Sequence, residues 1–450
     1  MKRLWWRVAL VAGAVVLGGC GEGEKKDGTP TKQVEPAEAA AAKWQDWSTV
    51  ALRNGLVSTH LVPTLGGRVM AYEFDGRNLL YANPKLLGQA PPNPSGEALP
   101  NFGGSASLPS EPASALLALG TYTATIDRER GLEAVVKLAS PRDDAAGLEL
   151  RRDLSLPRGG TVLKVATTLA NVGTAARSVY LADTSQHPGS LQDGETHNSL
   201  LQLILPLTDK SALAGGYKVN SGEAGEQLTA ADGRLTLKYG GTELLVGADD
   251  DAGWVAWVDQ QHKTVLAKFT APPAGARYAD DQNATVYAAP SKNESYLAAT
   301  LRSPLTEVAA GGSLGFEVCY AATHCPGPVL DVTPVGVVST RLSGERAEQT
   351  VTLGGVFGVF YTGFAQVVFL DKDGTELART SPVAVNPLVE YRLNQPAALP
   401  DGATQVSLVL LSAERVQLGE LARCAVSELT IKKADDVAVG DKKSTEQPKP

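Results

Sequence analysis

Residues 52–88 read LRNGLVSTHLVPTLGGRVMAYEFDGRNLLYANPKLLG, and their punctuation is that of a β-meander. Residues 56–62 form one strand pattern, and Pro63-Thr64-Leu65-Gly66-Gly67 makes a tight corner. Residues 68–74 form a second strand, and Asp75-Gly76 turns the chain into a third at 78–81. The paired glycines permit positive φ and a close approach of backbones where the chain reverses. The same grammar runs along the whole chain. VLKVATTL at 162–169, RLTLKY at 234–239 and QVVFL at 366–370 are short apolar runs set between Gly, Pro, Asn and Asp. Helical periodicity is nearly absent, so the pattern predicts an all-β protein.

The chain has 450 residues, enough for two or three domains with a large core. Pro326-Gly327-Pro328 interrupts the strand series. The expected organisation is one large β domain, an unbroken series of strands over 44–325, and a smaller sandwich or jelly roll over 326–433, with turns at Asp371–Gly374 and Pro400–Gly402. About eight strands are expected in the second part. Residues 434–450 are charged and end in proline, which reads as a disordered tail.

The N-terminus carries a different signal. Lys2, Arg3 and Arg7 precede an apolar stretch at 8–16 that is shorter than the roughly 20 residues a membrane-spanning helix needs. It closes on Leu17-Gly18-Gly19-Cys20, which resembles the bacterial lipobox. Residues 1–19 are therefore expected to be a lipoprotein signal peptide, with lipid on Cys20 and a disordered tether over 20–43. That implies export and a lipid anchor to the cell envelope. Gly21 at the second mature position points to the outer membrane in a Gram-negative cell.

Formal charge is −8, or about −11 without the three basic residues of the signal, and no basic run occurs. Nucleic-acid binding is not expected. With Cys20 committed to lipid, Cys319, Cys325 and Cys424 remain as disulfide candidates, either Cys319 with Cys325 or Cys325 with Cys424. No metal-ligand spacing, P-loop, GxSxG, HExxH or dinucleotide fingerprint is present, so no metal or other cofactor is expected.

Several segments, in order, resemble the galactose-mutarotase-like (aldose 1-epimerase-like) superfamily, in a branch without assigned function. They are the PTLGGR corner at 63–68, the strand ending LLYANP at 79–84, and Asn101-Phe102-Gly103-Gly104. GLELRRDLSL at 147–156, Asn171-Val172-Gly173, GWVAW at 253–257, YLAATLRSPL at 296–305 and Gly311–Leu314 continue the likeness. The resemblance implies a β-supersandwich that takes sugars in the concave face of one large sheet. Family members use a Glu as general base and a His as general acid, with an Arg among the groups that hold hydroxyls.

Carried onto this chain, the Arg falls on Arg68 and the His on His187, in Asp183-Thr184-Ser185-Gln186-His187-Pro188 after a strand at 176–182. The Glu position holds Ala298, and the next acidic position holds Thr300. Glu294 would need a shifted register to replace it. Candidate ligand-binding residues are Arg68, His187, Gln186, Asp183, Asn101 and Trp257, with His187 catalytic only if the protein is an enzyme. Trp254 and Trp257 lie three apart on a strand and face opposite sides. His60 reads as packed or solvent-facing, and His197, His262 and His324 as loop residues. The carboxylates of 249–251 and 280–281 read as solvated turn residues. The leading expectation is a non-catalytic carbohydrate-binding lipoprotein. An active epimerase-like sugar enzyme and a cell-envelope protein-interaction module are the alternatives.

Overall fold

The computed structural model describes residues 34–92, 99–111, 114–191, 197–292 and 294–431. The expected signal peptide, Cys20 and the tail over 434–450 lie outside them. The described chain is all-β and built as two stacked sandwiches.

The meander forms as its punctuation requires. Strand Val57–Val62 pairs with Arg68–Phe74, which pairs with the short Arg77–Asn78. Gly66 and Gly67 both hold φ +61, and a side chain at Gly66 would strike the Ala118 carbonyl. These strands belong to a twelve-stranded sheet, called here the first sheet. From the meander it runs through Ser105–Pro109, Leu181–Pro188, Tyr296–Arg302, Ala284–Ala288 and Leu244–Ala248 to Tyr217–Gly222. Its other flank is Trp47–Arg53 followed by Ala37–Trp44. The second sheet has ten strands, among them Leu148–Pro157, Leu163–Asn171, Trp254–Asp259, Thr264–Phe269 and Ser313–His324.

The two sheets face each other across one apolar core. Tyr72, Leu117, Leu150, Leu154, Leu203, Trp257 and Leu301 are among its members. Alternation along the strands fills this layer, as in Leu148–Pro157, where every second residue from Leu148 to Leu156 is buried.

The tether expected over 20–43 is corrected at its end. Ala37–Trp44 is a strand paired in register with Trp47–Arg53, and Ala37 and Ala39 are fully buried. Alanine is a weak strand former, so the segment does not read as one. Pairing across the two-residue turn at Gln45 and burial of its alternate methyl groups hold it.

Beyond the first sandwich, residues 331–431 form two five-stranded sheets around a second core that includes Leu353, Phe357, Val367, Phe369, Leu408 and Leu421. This smaller sandwich packs on the outer side of the second sheet. Trp254, Ala256, Val265 and Ala321 there meet Val329, Val337 and Phe360. Backbone bonds from Thr161 N–H to Phe360 O and from Thr362 N–H to Gly159 O tie the two together, both at 2.8 Å.

All three described cysteines are free thiols, which corrects both disulfide candidates. Cys319 lies within the strand Ser313–His324 and Cys325 follows its last residue. Six residues of extended chain separate the two by about 20 Å, far beyond disulfide reach. Cys325 packs at the junction of the sandwiches, whereas Cys424 is buried in the smaller one.

Candidate functional site

Strand Leu181–Pro188 decides where the candidate residues go. The sequence placed 183–188 in a segment after a strand; in the structure they are the strand itself. Its burial alternates, so Leu181, Asp183, Ser185 and His187 point between the sheets and Ala182, Thr184 and Gln186 point to the open side. Neighbours such as Gln186 and His187 cannot serve one site.

His187 is therefore a core residue, 1% exposed. Its Nδ1 lies 3.0 Å from Leu79 O, so Nδ1 carries the proton, and Nε2 accepts from Ser185 Oγ at 3.0 Å. Trp257 stacks on the ring at 5.8 Å. Burial draws the His187 pKa down to about 3, only partly offset by the bond to Leu79, and the imidazole is neutral. Trp257 itself is 2% exposed in the inter-sheet core, while Trp254 faces the smaller sandwich. Neither indole reaches the open face.

Asp183 is also buried, at 0% exposure, and its chemistry is structural. Lys268 from the second sheet pairs with it at 2.8 Å, and Ser107 and Tyr320 donate to its two oxygens. Ser105 Oγ lies 2.7 Å from the Tyr320 hydroxyl. Burial alone would raise the Asp183 pKa, but the Lys268 charge and the donated hydrogen bonds outweigh it and hold the carboxyl below its usual range. The assignment of Asp183, His187 and Trp257 to ligand contact is corrected on these grounds.

The other candidates converge on the open face of the first sheet. Gln186 pairs across the strands with Ala298, and Thr184 with Thr300, their hydroxyls 2.9 Å apart. Gln186 Nε2 donates to Asn101 Oδ1 at 2.8 Å. Asn101 Nδ2 donates to one oxygen of Glu294, and Asn83 Nδ2 donates to the other at 2.8 Å. Among the described residues one amide donor reaches each carboxylate oxygen, and a carboxylate oxygen can accept more than one. Beside this chain of amides Tyr81 stacks on Tyr296 at 5.1 Å, and Tyr287 leans on Tyr296 at 5.9 Å. Burial first, and the Glu294 charge second, raise the Tyr81 phenol well above its ordinary value.

Residues 101–104 reach this position because Gly103 and Gly104 adopt φ +89 and +72. A Cβ on Gly103 would lie 2.2 Å from Tyr81 O. The loop threads between Tyr81 and Gln186, with Gly104 N–H donating to Tyr81 O at 2.7 Å and Gln186 N–H donating to Gly104 O at 2.9 Å. Arg68 works from beneath, donating from Nη1 to Gly103 O at 3.0 Å. It is a positioning residue for the loop.

Asn83, Tyr81, Tyr287 and Tyr296 were not singled out from sequence, and Glu294 was set aside on register. The register is kept, since Tyr296 begins the strand where expected. Glu294 instead arrives from the turn just before it, held by the two asparagines. Asn83 follows Tyr81 within the quoted meander, the one signal that could have drawn attention to both.

Other expectations are adjusted. His324 ends a strand and its Nε2 meets Asp75 at 3.0 Å. Asp250 is fully buried, capping the turn by accepting from Ala252 and Trp254 N–H, and burial pushes its pKa up to about 7. A groove of about 390 Å³ lies elsewhere, lined by Phe269, Pro272, Tyr278, Arg302 and Phe316. Arg68, Asn101, Gln186 and Glu294 do not line it, and its wall is mostly apolar. Among the described residues no group of three or more His, Cys, Asp or Glu could hold a metal ion, and no helix is long and apolar enough to cross a membrane.

No protein-family model matches the chain, and no curated protein matches it. Solved structures do. A TPR-domain-containing protein from Parabacteroides distasonis is similar at 16% identity and TM-score 0.44, over 64% of this chain and 49% of that one. The chain thus spans about half that protein's length. Galactose-mutarotase-like proteins from Lactobacillus casei (11% identity, TM-score 0.43, 61% of this chain and 99% of that one) and Clostridium acetobutylicum (11%, 0.42, 65% and 100%) are also similar. These likenesses concern the course of the backbone.

Proposed function

We propose that the protein is a carbohydrate-binding lipoprotein that holds its ligand on the open face of the first sheet and does not interconvert anomers. One observation carries the reading: the half-buried cluster of Gln186, Asn101 and Glu294 lies beside the tyrosines 81, 287 and 296. Sugars present hydroxyls around a ring edge and C–H groups on its faces. Fixed amide and carboxylate groups beside aromatic rings answer both.

General acid–base work on a sugar needs two groups within hydrogen-bond reach of it. Here the histidine of the resembling motif is sealed in the core, and Ala298 stands beside Gln186 where the base would stand. Glu294 supplies a carboxylate, but both its oxygens accept from asparagine amides, and the histidine that serves the resembling family as acid is not in the described cluster. The binding reading therefore stands ahead of the enzymatic one. A glycan array probed with the purified protein tests it.

The anchor is part of the same proposal. Leu17-Gly18-Gly19-Cys20 supports lipid on Cys20, which would hold the protein at the cell envelope. Mass spectrometry of the N-terminal peptide from membranes is expected to show a diacylglyceryl adduct that Cys20→Ser abolishes. An unmodified Cys20 would refute the anchor. The two sandwiches are proposed to be separate domains meeting near residue 326, the first extending back to at least Ala37.

A further inference from the structure

Glu294 is the charged member of the open-face cluster. Among the described residues its carboxylate takes amide donors from Asn83 and Asn101 and forms no ion pair. Lys292, two positions earlier, is exposed and does not pair with it. The carboxylate and the tyrosine rings are held side by side. Tyr81 and Asn83 alternate along one segment, and Glu294 and Tyr296 along another. Asn83 meets Glu294 at 2.8 Å, and Tyr81 stacks on Tyr296 at 5.1 Å. Two residues of extended chain separate the members of each pair, so the carboxylate lies about 7 Å from the ring contact, a distance that one pyranose ring spans. Tyr81 N–H donates to Gln186 O at 2.8 Å. Tyr287 stands across from Ala298, which stands across from Gln186, so rings and amides share this face. The three tyrosines and Glu294 are all partly exposed.

Most of the amide donors are already spent inside the cluster. Asn83 Nδ2 donates to Asn101 O at 2.9 Å as well as to Glu294, and Gln186 Nε2 donates to Asn101 Oδ1 at 2.8 Å. What faces a ligand is dominated by acceptors: the remaining capacity of the carboxylate and the negative faces of the tyrosine rings. Both favour a cation. An ammonium gives the carboxylate a charge-assisted bond, which is stronger than the bond a hydroxyl gives. The same ammonium is drawn to a tyrosine face. A ligand carboxylate, as on a uronic acid, would instead meet like charge.

We propose that the sugar held here is a hexosamine whose amine is free and protonated, with the ammonium donating to Glu294 and the C–H face of the pyranose against the tyrosine rings. This rests on the carbohydrate reading and names the class of sugar within it. Acetylation removes both the charge and the extra donors, so the acetylated hexosamine is the weaker ligand.

A glycan array carrying matched 2-amino, 2-acetamido and 2-hydroxy forms of the gluco and galacto series, probed with the full-length protein and with Glu294→Gln, tests this. The amino form is expected to bind roughly tenfold or more tightly than its two counterparts in at least one series, and Glu294→Gln to abolish that preference. If the variant does not fold, calorimetry on the unaltered protein decides, with one amino-form ligand per chain expected. Equal or tighter binding of the acetamido or hydroxy form would overturn the proposal and leave the carbohydrate reading in place. An amino preference that survives in folded Glu294→Gln, or that saturates at many ligands per chain, would do the same, since it would report diffuse attraction to an acidic protein. Silence of every form on the array would remove both readings.

Discussion

His187 is buried in its neutral form, and that makes it a sensor of acid for stability rather than for binding. Its pKa lies near 3 in the folded chain against an ordinary 6.5. A depressed folded pKa means the unfolded chain takes up the proton first as pH falls. Stability is therefore complete above about pH 6.5 and is lost progressively toward pH 3, by roughly 2 kcal/mol at pH 5. Urea unfolding of the wild type and of His187→Gln at pH 7 and pH 5 checks this. The wild type is expected to lose about 2 kcal/mol more than the variant over that interval, and equal losses would contradict the buried neutral imidazole. At this scale the sequence was half legible. Arg68, Asn101 and Gln186 could be picked out from their motifs, and hydrogen bonds to the 101–104 loop connect them. Which way each pointed could not, because ending a strand at 182 instead of continuing it through 188 turns every second side chain from core to cleft. Asp183 and His187 went inward together, and each found polar partners there.

The loop over 101–104 is the element on which the candidate site depends. Gly103 holds φ +89 with the Tyr81 carbonyl against it, so a methyl group at that position meets both backbone strain and a clash. Gly103→Ala is expected to destabilise the fold by roughly 1–3 kcal/mol and to displace Asn101, weakening glycan binding at least tenfold. A variant that melts lower yet binds as the wild type would separate the loop from the site. The double glycine was visible in the sequence, as was the meander that supplies Tyr81 and Asn83. Glu294 was harder to place, since it lies in a turn and reaches the cluster through two asparagines more than 190 positions away in the chain. Local pattern carries no trace of such a contact. Ala37–Trp44 was missed for the related reason that its strand character comes from its partner Trp47–Arg53.

At the largest scale the described chain is two sandwiches joined by an apolar seam, with no covalent bridge among the described cysteines. Thiol titration in denaturant is expected to find Cys319, Cys325 and Cys424 all reactive, with melting unchanged by reductant; fewer thiols would mean a bridge. The all-β class and the large-then-small order were legible because turn residues punctuate the chain throughout. The seam was not, since Trp254 and Phe360 lie far apart in the chain and meet only when the sandwiches stack. It leaves the opposite face, that of the first sheet, open for a ligand. The most direct measurement is quantitative binding of glycans from the array to the wild type, Gln186→Ala, Glu294→Gln and His187→Gln. Saturable binding that falls at least tenfold in the first two variants and persists in folded His187→Gln is the predicted result; absence of glycan binding, or binding indifferent to Gln186 and Glu294, would contradict the account.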